Sequence, residues 1–448
     1  YGGVWSGRTT NLSPFAEIEL QLLADLPGVR RLVTNVAYRW TRNETERLGE
    51  DPISSSRDIE SWKTSLVWQP IDSVRVRATY SEDVRAPSAR ELYLETASTV
   101  GSPFSDIVTV TNPFVVDNPA TPFVNESTDK IRSASGGNSQ LKSEKATNKT
   151  LGVVFSPSGM LQGLQASLDY YETEIAGGIA SMTALQTLNG CFNEISLNQG
   201  SNVYCKNVTF GAPTIPGNPY SNVDSIATSQ INAQPFLSRG LDYSISYFKP
   251  LKDSSINLRF MATQFLEQKV DLGTYFGERD VSGQVGESGI GNFFGCAGCN
   301  YTPTPNWQGN FCATYARWGL ASTLQVRYVG AGRLSSRGQW IGPGESGTRL
   351  DPATGESIGP VAYDPSLDNT INKPTIPDWT VYSLHFNYSF ADSPFAGDRF
   401  SGLQLYAHIN NITNKMPGYY TGRNAGGINA VLYSGLGRQY QIGMQYRF

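Results

Sequence analysis

No stretch of about 18 consecutive apolar residues occurs in the 448-residue sequence, so no transmembrane helix is available. Strands escape that exclusion, because a membrane strand needs only about 9–11 residues of alternating polarity, which averaged hydropathy does not register. Histidine is scarce, with two residues in the whole chain. Net charge is only −4, which gives no electrostatic case for nucleic acid. Nothing at the first residue reads as a secretion signal; Tyr1-Gly2-Gly3-Val4-Trp5 reads as mid-protein sequence. Cysteines number five, an odd count that leaves at least one unpaired or paired elsewhere.

Glycine is abundant at 45 residues and tyrosine at 23, a mixture that suits many strands and turns with aromatics at polar–apolar boundaries. The dominant pattern is period-two alternation interrupted by turn residues. Ile18 and Leu20 alternate with Glu19; Val76 and Ala78 with Arg75, Arg77 and Thr79; Leu168 with Asp169. Ile245 alternates with Ser246, Val326 with Arg327, and Met444 and Tyr446 with Gln445. The pattern predicts strands over 13–23, 29–42, 57–70, 73–82, 141–156, 163–177, 231–249, 255–269, 305–316, 318–331, 377–390, 401–413 and 433–448. Tight connections such as 24–28, 71–72 and 250–254 alternate with long ones at 43–56, 83–140, 178–230, 270–304, 332–376 and 414–432. Short turns on one side and long loops on the other is the pattern of an outer-membrane barrel, with periplasmic turns and extracellular loops.

Strand direction follows. Both 13–23 and 433–448 run toward the short-turn side, which gives an odd count of about thirteen strands, whereas a closed bacterial barrel has an even one. Residues 1–12 are therefore read as the end of an extracellular loop, and the first and last strands are expected not to pair with each other. The competing count makes 1–9 an upward strand of a closed barrel of about fourteen, against which stand Gly2, Gly3 and Gly7. A soluble propeller or repeat adhesin would also alternate, but no period of about 40–50 residues stands out, and Trp40, Trp62, Trp68, Tyr80, Tyr247, Trp318 and Tyr328 gather towards strand ends as interfacial girdles do. Ile18, Leu20, Val76, Ala78, Leu168, Ile245, Val326 and Met444 are assigned to the lipid face, and Glu19, Arg75, Arg77, Asp169, Ser246, Arg327 and Gln445 to the lumen.

The segment Val74-Arg75-Val76-Arg77-Ala78-Thr79-Tyr80-Ser81-Glu82-Asp83-Val84-Arg85-Ala86-Pro87-Ser88-Ala89-Arg90-Glu91-Leu92-Tyr93 resembles a signature of TonB-dependent receptors, in which a strand exits into an Arg-Ala-Pro turn followed by Glu-Leu. Leu141-Lys142-Ser143-Glu144, Ser238-Arg239-Gly240-Leu241-Asp242-Tyr243 and Ile409-Asn410-Asn411-Ile412-Thr413-Asn414-Lys415 are similar to further elements of that family, with Ile412 and Thr413 in place of the usual Leu and Phe. The C-terminal strand, with Tyr446 and Phe448, resembles the signal read by the barrel-assembly machinery. The resemblance covers about residues 13–448 and implies an all-β, antiparallel, 22-stranded outer-membrane barrel, of which residues 1–448 would form the C-terminal part. It also implies a plug domain and first strands that lie in another chain, beyond the first residue, or removed by cleavage. Its implied partners are the TonB–ExbB–ExbD complex acting through the plug, lipopolysaccharide outside, and a small ligand. The implied function is active uptake through the plugged barrel, and the alternative is a passive porin of about fourteen strands.

Cys191 and Cys205 lie within one long loop and are expected to form a disulfide in an oxidising compartment. Cys296 and Cys299 are a candidate second disulfide, with no second Cys-x-x-Cys and no nearby histidine to suggest zinc or redox chemistry. Cys312 alternates with Phe311 and Ala313 and is expected in the lumen. Pro87 ends its strand, and Arg85 is read as structural rather than as a lipopolysaccharide contact. His385 and His408 fall on the polar face of a predicted hairpin; pairing of Phe390 with Leu403 puts them opposite each other, either as a metal or proton site or as polar residues against the plug. Without a carboxylate or third ligand nearby, no metal and no cofactor is assigned. No Gly-x-Ser-x-Gly accompanies either histidine, so no enzyme is read here. The substrate is not legible: the loops are rich in Asp, Asn, Gly, Pro, Ser and aromatics, which suits sugars, peptides and metal chelates alike.

Overall fold

The computed structural model describes residues 6–49, 52–94, 107–111, 128–181, 187–188, 190–192, 204–232, 236–271, 278–286, 304–334, 346–350, 357–364, 372, 375–392, 394, 400–418 and 432–447. In chain order its first elements are β1 (Ser6–Leu12), β2 (Phe15–Leu26), β3 (Val29–Leu48), β4 (Ile53–Ile71), β5 (Val74–Arg85) and the short helix α1 (Ala89–Tyr93). There follow β6 (Ile107–Thr111), β7 (Thr128–Gly136), β8 (Glu144–Phe155), β9 (Leu164–Ala176), β10 (Ile179–Ser181), β11 (Val208–Phe210) and β12 (Val223–Asn232). The chain continues through β13 (Phe236–Pro250), β14 (Ser254–Asp271), β15 (Glu278–Asp280), β16 (Trp307–Arg317), β17 (Leu320–Val329) and β18 (Gly332–Arg333). The last strands are β19 (Ser346–Leu350), β20 (Ser357–Ala362), β21 (Thr375–Ile376), β22 (Trp379–Ser389), β23 (Leu403–Asn410) and β24 (Gln439–Tyr446).

One antiparallel wall runs in the order β3, β4, β5, β8, β9, β13, β14, β16, β17, β22, β23, β24, with β1 and β2 both on the outer side of β3. β1 and β2 follow one line along β3, Leu12 facing Arg42 and Phe15 facing Arg39, so they act as one strand broken at Ser13-Pro14. Within the segment expected as the end of a loop, the chain from Ser6 to Leu12 is strand, because the projecting half of β3 offers it a continuous partner. It runs in the same direction as β2 and not as a separate upward strand. Among the described residues the wall's two end strands are not paired with each other.

Tight turns close the short side. Trp318 and Gly319, with φ of 51° and 81°, make the two-residue link between β16 and β17, the left-handed pair that matches strand twist. The apolar residues of alternate positions stand out from one face: Ile18, Leu20, Leu66, Leu151, Leu168, Ile245 and Met444 are all exposed. Trp62 and Trp68 sit six positions apart on that face of β4, about 20 Å along the strand. Trp62 lies across from Tyr38 and tilts onto Tyr80 with ring centroids 5.3 Å apart, while Trp68 Nε1 donates to Gly28 O in the turn below at 3.1 Å. That is an apolar band between two aromatic belts.

The long connections carry structure that the alternation does not predict. β10, β12, β7 and β6 form a second sheet with β11 beside β12, drawn from what reads as loops 83–140 and 178–230. Ile107-Val108-Thr109-Val110-Thr111 carries a strand composition, but its sheet depends on the parallel pairing of β7 with β12, which no local pattern reveals. The last strand begins at Gln439 rather than 433, because Leu432 and Tyr433 turn into a buried cluster with Val329, Leu334, Trp379 and Val381.

Candidate functional site on the polar face and the loop side

The face opposite the apolar band is built from the polar members of each alternating pair, and its side chains meet across strands. Arg77 on β5 reaches Asp169 on β9 with Nε and Nη2 each donating at 2.8 Å, a two-pronged ion pair. On the opposite face, at the loop end of the apolar band, Lys149 Nζ meets Glu172 Oε1 at 2.8 Å and Arg239 pairs with Glu267, because the register sets Lys149, Glu172 and Arg239 on the side of Leu151, Leu168 and Ile245. Glu19 pairs with Arg31 at 3.6 Å on a more exposed part of the wall. Arg327 Nη2 donates to Leu432 O at 3.1 Å and its guanidinium lies 5.8 Å from the centre of the Trp379 ring. Arg75 is exposed on β5, across from Val154.

At the loop end of β5 the sequence motifs meet in space. Arg85 donates to both Glu91 on α1 and Glu144 at the start of β8. Ser88 caps α1: its Oγ accepts from Glu91 N at 3.3 Å while Ser88 N donates to Glu91 Oε2 at 2.7 Å. Burial alone would raise the Glu91 carboxyl, but hydrogen bonds from Arg85 and Ser88 outweigh it and hold the group below its usual range. Glu144 also accepts from Ile179 N, so one guanidinium ties β5, α1, β8 and the entry to β10 together. Gly137 passes so close to α1 that a Cβ there would lie 2.6 Å from the backbone of Leu92, Tyr93 and Leu94. The structural reading of Arg85 therefore has definite partners. Glu91 and Glu144 both lie inside motifs legible in the sequence, but nothing in the sequence pairs them.

Further along the loop side, Cys191 and Cys205 are joined by a disulfide and pack with Leu188, Phe192, Tyr204, Val208, Val223 and Ile226 as a small core under the second sheet. Cys296, Cys299 and Phe448 lie outside the described residues. Cys312 is a free thiol beside Asn310 Nδ2 at 3.4 Å. Tyr433, which alternation places in the last strand, is instead buried against Trp379 with ring centroids 5.7 Å apart, and burial pushes its phenol up to about 12. Tyr446 lies across from Leu403 and is exposed on the apolar side.

His385 and His408 face each other as the register requires, Phe390 N donating to Leu403 O at 3.1 Å. Their Nδ1 atoms are 2.9 Å apart, and His385 Nε2 lies 3.3 Å from Gln325 Oε1. The Asn-rich motif after β23 is a clasp. Asn411, at φ 52°, bonds both N and O of Lys415 at 2.9 Å through its side chain, and Asn414 Oδ1 accepts from Arg438 N at 2.8 Å. Gly437 leaves room for that contact, since a Cβ there would fall 2.5 Å from Asn414 Oδ1.

An all-antiparallel wall with an apolar band, two aromatic belts, a polar ion-paired face, tight turns on one side and structured loops on the other defines an outer-membrane β-barrel protein. The family model for the TonB dependent receptor-like β-barrel matches residues 3–412, and the chain belongs to that family. No curated protein matches the sequence. Among solved structures, a mutant form of the ferric enterobactin receptor PfeA of Pseudomonas aeruginosa is similar at 15% identity and a TM-score of 0.50, covering 99% of this chain and 54% of that one. The siderophore receptor PirA of Acinetobacter baumannii is similar at 13% identity and a TM-score of 0.50, covering 99% and 55%. At such identities the likeness is one of fold. The chain spans about half the length of these structures. It is an outer-membrane protein of a receptor and transport family.

Proposed function

We propose that this chain is the wall and much of the outer surface of a receptor that imports a scarce nutrient, captured by the long loops and passed through a plugged barrel with energy supplied by TonB. The observation that carries the reading is the family membership of residues 3–412, set beside a loop side that folds into its own disulfide-braced sheet. A pre-ordered loop surface loses less entropy on capture than a free loop does. PfeA and PirA are named for ferric enterobactin and siderophores, and a metal chelate is the first class of ligand to try here. The plug, the first strands, the TonB complex, lipopolysaccharide and the barrel-assembly machinery are the partners this reading requires. Glu19, Arg75, Arg77, Asp169, Arg327, His385 and His408 are placed by it on the lumen wall, and Tyr446 with Phe448 in the assembly signal.

Planar-bilayer recording of the native outer-membrane assembly, paired with uptake of radioactive iron chelates by cells with and without TonB, tests the proposal. Silent bilayers and TonB-dependent uptake are expected. A steady open conductance with TonB-independent entry would establish the passive porin instead.

A further inference from the structure

We infer that His385 and His408 form a two-nitrogen binding site for a borderline divalent transition-metal ion, Cu²⁺ or Ni²⁺, on the polar face of the wall. They are the only two histidines of the chain, they stand on neighbouring strands, and the register sets them directly opposite each other. Their Nδ1 atoms are 2.9 Å apart. Two imidazole nitrogens each about 2.0–2.1 Å from one ion stand about 2.9 Å apart when they subtend a right angle at it, and about 3.4 Å when the angle is tetrahedral. The observed spacing is thus the bite of two adjacent positions in a tetragonal site, the geometry that Cu²⁺ and Ni²⁺ prefer.

The proton arrangement supports the same conclusion. Gln325 Nε2 donates to Asn310 Oδ1 at 2.9 Å, which turns Gln325 Oε1 toward His385 Nε2. An amide oxygen only accepts, so His385 carries its proton on Nε2 and presents a lone pair at Nδ1. His408 Nδ1 then donates into that lone pair across the 2.9 Å contact. An ion entering between the rings takes the place of this shared proton, which shifts to His408 Nε2 as that ring changes tautomer. Both nitrogens become ligands with no net proton released. Gln325 acts as the outer partner that fixes the tautomer and the ring plane of a ligating histidine. Among the described residues no group of three or more His, Cys, Asp and Glu is placed to hold a metal, so the remaining coordination positions fall to water or to whatever faces this part of the wall.

The inference does not depend on what the barrel imports. The test uses the native outer-membrane assembly, extracted in detergent without an affinity tag, stripped with a chelator and titrated with Cu²⁺ alone. Paramagnetic resonance at one equivalent is expected to show two imidazole nitrogens on the copper. His385→Gln and His408→Gln should each remove one of them and raise the dissociation constant at least about tenfold, a loss that displacing even an outer partner can cause. Gln325→Leu should weaken binding by about 10–100-fold while leaving two imidazoles in the spectrum. Copper bound with fewer than two imidazoles in the unaltered protein overturns the site and leaves the pair as a proton-sharing contact. So does a spectrum and affinity unchanged by the histidine substitutions. Fewer than two imidazoles in the unaltered protein overturns the site whatever the variants do, and His385→Asn with His408→Asn repeats the assignment to these two rings if a glutamine variant fails to fold.

Discussion

Arg77 and Asp169 grip each other across an intervening strand, and they can do so because residue 152 between them is glycine. A Cβ at Gly152 would lie 1.8 Å from Asp169 Oδ1 and 3.0 Å from Arg77 Nε. Gly152 pairs with Arg77 on one side and Asp169 on the other, so the missing side chain is the passage through which the ion pair is made. Gly152→Ala is expected to destabilise the folded wall by about 1–3 kcal/mol, the usual cost of overpacking, because Asp169 must turn away. Removing the pair alone, by Arg77→Ala with Asp169→Ala, should cost no more than about 1 kcal/mol for a partly exposed salt bridge. In that double variant Gly152→Ala should become nearly neutral. A denaturant titration giving the same penalty with and without the pair would show that the glycine serves something else.

The two faces of β5 make a second comparison. Ala78 lies between Leu66 and Leu151 on the apolar face, and Thr79 between Ser65 and Thr150 on the polar face. Arginine at position 78 should cost about 2–4 kcal/mol near mid-membrane, and at position 79 little. Equal losses in a lipid-refolding titration would mean that the faces are assigned wrongly.

These neighbour relationships are legible in the sequence because alternation and turn length are local properties. All thirteen wall strands and the opposition of His385 and His408 follow from counting outward from tight turns. What is not legible depends on contacts between distant loops. The parallel match of Ser225 with Arg132, the joining of Glu91 and Glu144 through Arg85, and the capture of Tyr433 by Trp379 each bring together segments whose own patterns say nothing of the partner. Residues 6–12 fail differently. Gly7 argues against a strand by propensity, yet pairing with β3 overrides it.

Acid should loosen the Arg85 junction. Glu91 has its carboxyl held below the unfolded value of about 4.3, so its contribution is complete above that pH and is lost as pH falls through the lower folded value. Hydrogen exchange of the α1 amides, corrected for intrinsic rate, should therefore show protection that is steady from neutral pH down to about 4.3 and declines below it. Glu91→Gln should lower the protection at neutral pH and flatten the decline. An unaltered acid profile in that variant would assign the effect to another carboxylate, with Glu144 the next to replace.

The disulfide concerns the loop sheet and not the wall. Cys191 and Cys205 are 14 residues apart and both belong to the small core that includes Leu188, Tyr204 and Ile226. Closing a loop of about 15 residues removes about 3 kcal/mol of freedom from the unfolded segment. The wall strands are joined by their own ladder and gain nothing from that closure. Replacing both cysteines by alanine should therefore raise amide exchange and protease cleavage within residues 204–232, while the wall's denaturation midpoint stays where it was. The two alanines keep the packing apolar, so the change reports the lost cross-link rather than a buried polar group. If the wall's midpoint falls in step with loop protection, the loop sheet and the wall unfold as one unit, and the bracing role assigned to Cys191 and Cys205 is wrong.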